Sequence, residues 1–295
     1  MATITGGLTW VFAVLNFRTV DDLNLAIVQH LHKLRQLNID LIVGIPRSGM
    51  IPASLLATHL QLPFTDVDSY NSKRWYIRNK KITVSANMPE IPLRVLLVDD
   101  TINTGNAMRS VITTLQSNND TIIKFAVYGS PKNRPEDIDY VCEICPLPRA
   151  FQWNIWKHNS ASKWATDMDG VLCRDPSKKE NDKGERLKNF YTNAEPKFLF
   201  TKPVKYIITS REEQYREVTT MWLKKHNIVY EQLIMKQTGQ PGGDDAHGRY
   251  KSQILNSLSN IELYIESDAK QAKIISQLVN LPVWCTDSQK LYKGQ

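Results

Sequence analysis

Two adjacent carboxylates close an apolar run in RVLLVDDTINTGNAM, Arg94 to Met108, where Asp99 and Asp100 lead into a loop of Thr101, Asn103, Thr104 and Gly105. A strand ending in Asp-Asp sets acidic side chains at the carboxyl edge of a parallel sheet, where open α/β folds bind their ligands. The loop adds hydroxyls and backbone N–H groups at a helix start, and such a start favours an anion. Carboxylates for sugar hydroxyls or a metal, beside a phosphate cradle, point to a sugar phosphate. Upstream, LIVGIPRSGMIPA offers a second strand-to-helix turn with Arg47, Ser48 and Gly49. Its glycine lets backbone N–H groups approach an anion that Arg47 neutralises. Two such loops on one sheet imply a substrate with phosphate at both ends; a plain polar turn explains one of them more easily than both.

A third constellation lies further along. WATDMDGVL ends a strand at Asp167 and sets Asp169 two residues on, near enough for both to serve one reacting phosphate. One carboxylate attacks phosphorus, the other donates a proton to the leaving alcohol, and Mg²⁺ offsets the repulsion between the anions.

The elements that must position these residues follow a βαβ rhythm twice over. The first series is helix VDDLNLAIVQHLHKLRQL, strand DLIVGI, helix MIPASLLATHL, strand RVLLVDD, helix AMRSVITTLQS and strand IIKFAVYG. The second is strand KWATDM, strand KYIIT, helix EQYREVTTMWLKKH, helix YKSQILNSLS, strand IELYIE and helix AKQAKIISQLV. Between them CPLPRAFQWNIWKHNSAS, rich in Pro, aromatics and polar residues, is expected to form the junction. Two Rossmann-like α/β domains result, residues 1–150 and 151–295.

Length and charge agree with two ordinary domains. The chain has 295 residues, 42% hydrophobic and 23% charged, enough to bury two cores. Its net charge of +7, from 37 Lys+Arg against 30 Asp+Glu, suits phosphorylated substrates and calls for no nucleic acid. LTWVFAVLNF near the start is about half the length of a spanning helix and has no preceding positive charge, so a soluble, cytoplasmic protein is expected. Cys142 and Cys145 form one C-x-x-C with no second pair, while Cys173 and Cys285 stand alone. Buried thiols are expected here, and no structural zinc.

The segment VLLVDDTINTG resembles the phosphoribosyl pyrophosphate (PRPP) signature of type I phosphoribosyltransferases, and GIPRSGM resembles their pyrophosphate loop; together they cover roughly residues 18–145. The resemblance implies that Asp99 and Asp100 hold the ribose 2- and 3-hydroxyls, directly or through Mg²⁺. It further implies that Thr101, Asn103, Thr104 and Gly105 cradle the 5-phosphate while Arg47, Ser48 and Gly49 take the pyrophosphate. Family members carry a hood or loop over the site, which here would bring Lys73, Arg74, Arg78, Lys80 and Lys81 to the pyrophosphate. No purine or pyrimidine pocket is visible.

In the second half, WATDMDGVL, YIITSR, HGRYKSQIL and LYIESD resemble, in order, the four motifs of haloacid dehalogenase-like phosphatases. The resemblance implies Asp167 as nucleophile and Asp169 as general acid/base. It gives Thr209, Ser210 and Lys251 to the phosphoryl group, and draws the Mg²⁺ ligands from Asp167, Asp169 and Glu266 or Asp268. Forty-two residues separate Asp167 from Thr209, and as many separate Thr209 from Lys251, which leaves room for only a minimal cap. The whole chain resembles bacterial fusions of these two enzymes, whose FxWN junction matches Phe151, Trp153 and Asn154. Net transfer of ribofuranose from PRPP is the implied activity, with a saccharide or lipid-linked glycan as acceptor, the latter bringing peripheral membrane contact. A nucleobase acceptor, with the phosphatase acting on the nucleotide, is the alternative; a non-enzymatic PRPP sensor is disfavoured by the complete set of catalytic residue types in the second half.

Overall fold

The computed structural model describes residues 15–77, 80–84, 92–115, 119–132 and 136–293, and of 75–77 and 80–84 the backbone alone. Asn16–Trp153 forms one compact unit, and the chain from Asn154 onward forms another.

The first unit contains β1 (Asn16–Arg18), α1 (Val20–Arg35), β2 (Leu41–Gly44), α2 (Met50–Leu60), β3 (Phe64–Asp66), α3 (Val67–Asn71), β4 (Arg74–Ile77), β5 (Lys80–Val84), β6 (Arg94–Thr101), α4 (Asn106–Thr114), β7 (Thr121–Gly129), β8 (Tyr140–Ile144) and β9 (Arg149–Phe151). Its main sheet runs β5-β4-β3-β2-β6-β7-β8, parallel from β3 to β8 with an antiparallel hairpin at one edge. The apolar runs of β2 and β6 are continuous because both faces are covered. Ile42, Leu96, Val98 and Phe125 face Leu23, Ile27 and Leu56 of α1 and α2, whereas Leu41, Val43, Val95 and Leu97 face Val67, Tyr70 and Met108 on the other side. Helix α1 starts where Thr19 and Asp22 form a reciprocal capping box.

The boundary between the units falls inside the stretch expected as a junction, whose first part, up to Trp153, is folded into this unit. β9 pairs in parallel with β1, and the buried Arg149 guanidinium donates to the carbonyls of Gly129 at 3.1 Å, Cys145 at 2.9 Å and Ile102 at 3.0 Å. An Arg among prolines suggests an exposed linker, but here its donors satisfy carbonyls at the ends of the central strands. Cys145 is buried and Cys142 partly so, both as free thiols.

A 3-10 turn over Gln152–Lys157 runs across the boundary at Trp153, and the second unit follows with a 3-10 turn over Asn159–Lys163. It continues through β10 (Trp164–Thr166), α5 (Glu185–Asn193), β11 (Val204–Glu212), α6 (Arg216–Lys225), β12 (Tyr230–Lys236), α7 (Asp244–Ser257), β13 (Leu263–Glu266), α8 (Ala269–Leu278), β14 (Val283–Cys285) and β15 (Lys290–Tyr292). Its sheet order is β12-β11-β10-β13-β14-β15, parallel except for β15. Ala165, Ile208 and Tyr264 pack with Leu255 of α7 and Ile275 of α8. Helix α7 begins at Asp244, six residues before the expected Tyr250. Gly248, which periodicity treats as a breaker, lies inside it: a Cβ there would come within 3.0 Å of Ile274 Cγ2, so glycine permits the close approach of α7 and α8. Between Asp169 and Thr209 the described residues hold one helix, α5. No helix among the described residues is long and apolar enough to cross a membrane.

Replacing Arg149 by Met takes a donor from the Ile102, Cys145 and Gly129 carbonyls, of which Gly129 keeps the Cys145 N–H at 2.9 Å. The variant is expected to lose about 3 kcal/mol of stability in the unit that contains it, seen as a lower urea midpoint; an unchanged midpoint would show that the guanidinium holds nothing together.

Candidate active sites

In the first unit β6 delivers Asp99 and Asp100 to the carboxyl end of the parallel sheet, beside the loop that leaves β2. Gly49 governs how closely that loop approaches. A Cβ on it would lie 2.6 Å from the Ile45 carbonyl oxygen, 2.7 Å from that of Val98 and 3.0 Å from Asp99 Cα, so only glycine lets the Arg47-Ser48 turn sit against β6. The loop after Asp100 is tied down from three directions. Ile102 N–H donates to the Tyr128 carbonyl at 2.8 Å, Gly105 takes a positive φ of 74° just ahead of α4, and Arg109 folds back from α4. Arg109 donates to the Thr104 carbonyl at 2.8 Å and to Asn106 Oδ1 at 2.7 Å, and pairs with the buried Asp137. The Thr101 hydroxyl is buried with no protein partner. Thr101, Asn103, Thr104 and Gly105 therefore form one preformed loop at a helix start, suited to an anion.

Asp99 and Asp100 differ in environment. Burial, followed by the hydrogen bond and charge of Asp100, pushes the Asp99 carboxyl up to about 8. Asp100 is only 3% exposed, and its Oδ2 accepts the Trp153 indole N–H at 2.6 Å. Lys73 and Arg74 are exposed at the start of β4, three strands from β6 in the sheet order, and no contact joins them to the carboxylates. Arg78 and the side chains of Lys80 and Lys81 lie outside the described residues.

In the second unit, neighbouring strands β10 and β13 bring Asp167 and Glu266 to adjacent tips, with Asp167 N–H donating to the Ile265 carbonyl at 2.8 Å. Lys251, from α7, joins them: its Nζ lies 2.6 Å from Asp167 Oδ2, 2.7 Å from Glu266 Oε2 and 3.0 Å from Gln271 Oε1. One ammonium between two carboxylates leaves a net negative charge in a dry site. Burial and the Glu266 charge thus push Asp167 well up against the pull of Lys251. Burial alone would lower Lys251, but Asp167 and Glu266 together raise it. Asp268 does not join them; its Oδ1 caps α8 by accepting Gln271 N–H at 2.8 Å.

Asp169 faces a different partner. Arg211 grips it with Nε 2.9 Å from Oδ2 and Nη2 2.6 Å from Oδ1, while the guanidinium lies 4.0 Å from the Tyr191 ring centroid. The register of β11 shifts between Thr209 and Glu212, and this irregularity accompanies the placing of Arg211 in the interior. Thr209 Oγ1 accepts Arg211 N–H at 3.2 Å, and Ser210 Oγ is buried with no protein partner. Gly170 takes a φ of 76° with Ser267 Oγ 2.2 Å from where a Cβ would stand, which closes the turn after Asp169 onto β13. Arg211, Gln271, Arg109, Arg149 and Trp153 were not assigned roles from the sequence. For Arg211 the available signal was a charged residue within the buried run YIITSRE.

Among the described residues no three His, Cys, Asp or Glu side chains converge as a metal cage. Each unit offers a carboxylate pair beside groups suited to phosphate. That set fits Mg²⁺, which binds through one or two carboxylates and keeps water and substrate phosphates as its other ligands.

Residues 18–162 match the family model of the phosphoribosyl transferase domain. Among curated proteins the chain is similar to a xanthine-guanine phosphoribosyltransferase of Cereibacter sphaeroides, 28% identical over 107 residues, which are 35% of this chain and 61% of that protein. The chain thus spans about three-fifths of that relative's length. Similar solved structures include a purine phosphoribosyltransferase from Pyrococcus horikoshii, at 23% identity and a TM-score of 0.34, covering 48% of this chain and 94% of that one. A Helicobacter pylori xanthine-guanine-hypoxanthine phosphoribosyltransferase gives 18% identity and 0.34, with 48% and 93% covered. The first half of the chain carries a phosphoribosyltransferase domain.

The Asp99 carboxyl sits far above its ordinary range near 4, so the folded unit holds that proton more tightly than the unfolded chain does. Its contribution to stability is complete below about pH 4 and is lost as pH rises through about 8. Without PRPP or Mg²⁺, Asp99→Asn should therefore exceed the wild type in urea midpoint at pH 8, with the gap closing toward pH 4. A variant less stable than wild type at pH 8 contradicts the assignment.

Proposed function

We propose that the chain is a bifunctional enzyme that transfers 5-phosphoribosyl from PRPP to an acceptor and then removes the 5-phosphate, for net transfer of ribofuranose. In the first step the C1–O bond to pyrophosphate breaks, the pyrophosphate leaves with the bonding pair, and the acceptor oxygen bonds C1 while its proton passes to base. Asp99 and Asp100 bind the ribose hydroxyls and tolerate the positive charge that develops at C1. The loop Thr101–Gly105 holds the 5-phosphate, and Arg47 with Ser48 and Gly49 receives the departing pyrophosphate. Mg²⁺ would be held by Asp99 and Asp100 in the first site and by Asp167 and Glu266 in the second, and would supply charge neutralisation to the phosphates there.

In the second step Asp167 attacks phosphorus, the bond to the ribose O5 breaks, and Asp169 gives that oxygen its proton. Water then cleaves the aspartyl phosphate with Asp169 taking the proton back. Thr209, Ser210 and Lys251 bind the phosphoryl oxygens, and Glu266 is the metal ligand favoured over Asp268 because Lys251 ties it to Asp167. Asp169 must leave its Arg211 pairing to reach the leaving oxygen. The observation that supports the two-step reading is this Asp167–Lys251–Glu266 cluster, which draws residues from three of the four motifs that resemble a haloacid dehalogenase-like phosphatase into one site within a unit of its own.

The favoured acceptor is a saccharide hydroxyl on a growing, lipid-linked bacterial glycan, consistent with a second site that lacks a separate cap. A second reading draws support from the xanthine-guanine phosphoribosyltransferase relative: a purine is the acceptor and the second site turns the nucleotide into a nucleoside.

Mass spectrometry separates these readings. With PRPP, Mg²⁺ and an extract of saccharide acceptors, Asp167→Asn should accumulate a product one phosphoryl group heavier than the wild-type product. Identical dephosphorylated products from both proteins would overturn the two-step reading. Pyrophosphate release with xanthine, guanine, hypoxanthine or adenine alone would establish the purine alternative.

A further inference from the structure

We propose that Trp153 is a positioning residue of the PRPP site, acting through Asp100; the proposal rests on the reading of Asp99 and Asp100 as the ribose-binding carboxylates. Asp100 is buried, and a carboxylate free to rotate there would present its oxygens to ribose in many directions. The Trp153 indole N–H fixes one of them, Oδ2, at 2.6 Å, which leaves Oδ1 in a set direction.

The indole is itself immobilised by stacking. Its ring lies 5.1 Å from Phe151 with 27° between planes and 6.4 Å from Tyr128 with 20° between planes, and Tyr128 and Phe151 stack at 5.4 Å. Tyr128 pairs in register with Thr101, the first residue of the phosphate loop, and Phe151 pairs with Arg18 on β1. Beside this stack Arg149 holds the Ile102 carbonyl. The last residues of the unit thus brace both the carboxylate and the loop that follows it. Indole is a donor without acceptor capacity, so it can bind Asp100 only in this sense. A hydrogen bond to a charged acceptor is worth a factor of about ten or more.

Titration calorimetry of the full chain with PRPP and Mg²⁺ tests this through a double-mutant cycle. Trp153→Phe keeps an aromatic ring in the stack and removes only the donor. It should weaken PRPP binding about tenfold, with a modest drop in urea midpoint from the unpaired Asp100 that leaves the chain folded under the conditions of the titration. In an Asp100→Ala background, or Asp100→Ser if the alanine variant does not fold, the same substitution should change nothing. An equal loss in both backgrounds, or no loss in either, overturns the proposal. Failure of the wild-type chain to bind PRPP would instead remove the underlying reading. The contact then stands or falls on hydrogen exchange of the Trp153 indole proton, expected to be slower in the wild type than in Asp100→Ala; equal rates overturn it.

Discussion

Like charges crowded at dry strand tips are the constraint on which both halves of this molecule turn. A parallel sheet sends its strand ends to one edge, and in each unit that edge carries two or more carboxylates that repel one another and have lost water. Unrelieved, such a cluster would push the strands apart or take up protons. The first unit leaves the repulsion partly standing, as the elevated Asp99 carboxyl shows, and steadies Asp100 with a neutral donor from Trp153. The second unit uses cations of its own, Lys251 between Asp167 and Glu266 and Arg211 on Asp169.

Under the proposed function the two solutions would serve different chemistry. On the proposed reading, the first site would present the Asp99–Asp100 pair to a sugar that becomes cation-like, and the cost of crowding the two carboxyls would be offset when substrate and metal arrive. On that reading Asp167 is the nucleophile of the second site, and the Lys251 ammonium counters, without overcoming, the burial and the Glu266 charge that push its carboxyl up.

Much of this was legible in the sequence, for reasons that differ by element. β2 and β6 announce themselves because a strand covered on both faces must be continuously apolar, and the turns after them because their glycines and polar residues have few other uses. Asp99, Asp100 and Asp167 were visible as chemistry because charged residues next to such strands need a reason, whereas Lys251, inside α7, was visible only through the resemblance of its motif. Trp153 and Arg149 were hidden, since a Pro-rich aromatic stretch looks like a linker until its partners 47 to 53 residues away are known. Arg211 was hidden by the shift in strand register that accompanies its turn inward. The early start of α7 was masked by Gly248, whose role depends on a second helix that local periodicity does not register.

The central claim is that two separate sites act in order on one substrate. Phosphorus NMR of the full chain with PRPP, Mg²⁺ and a mixed extract of saccharides and bases follows both steps at once. The account predicts that pyrophosphate appears first and orthophosphate later, in amounts that converge, and that the double variant Asp99→Asn, Asp100→Asn yields neither. Orthophosphate released from PRPP without pyrophosphate, or at the same rate in the double variant, would contradict it.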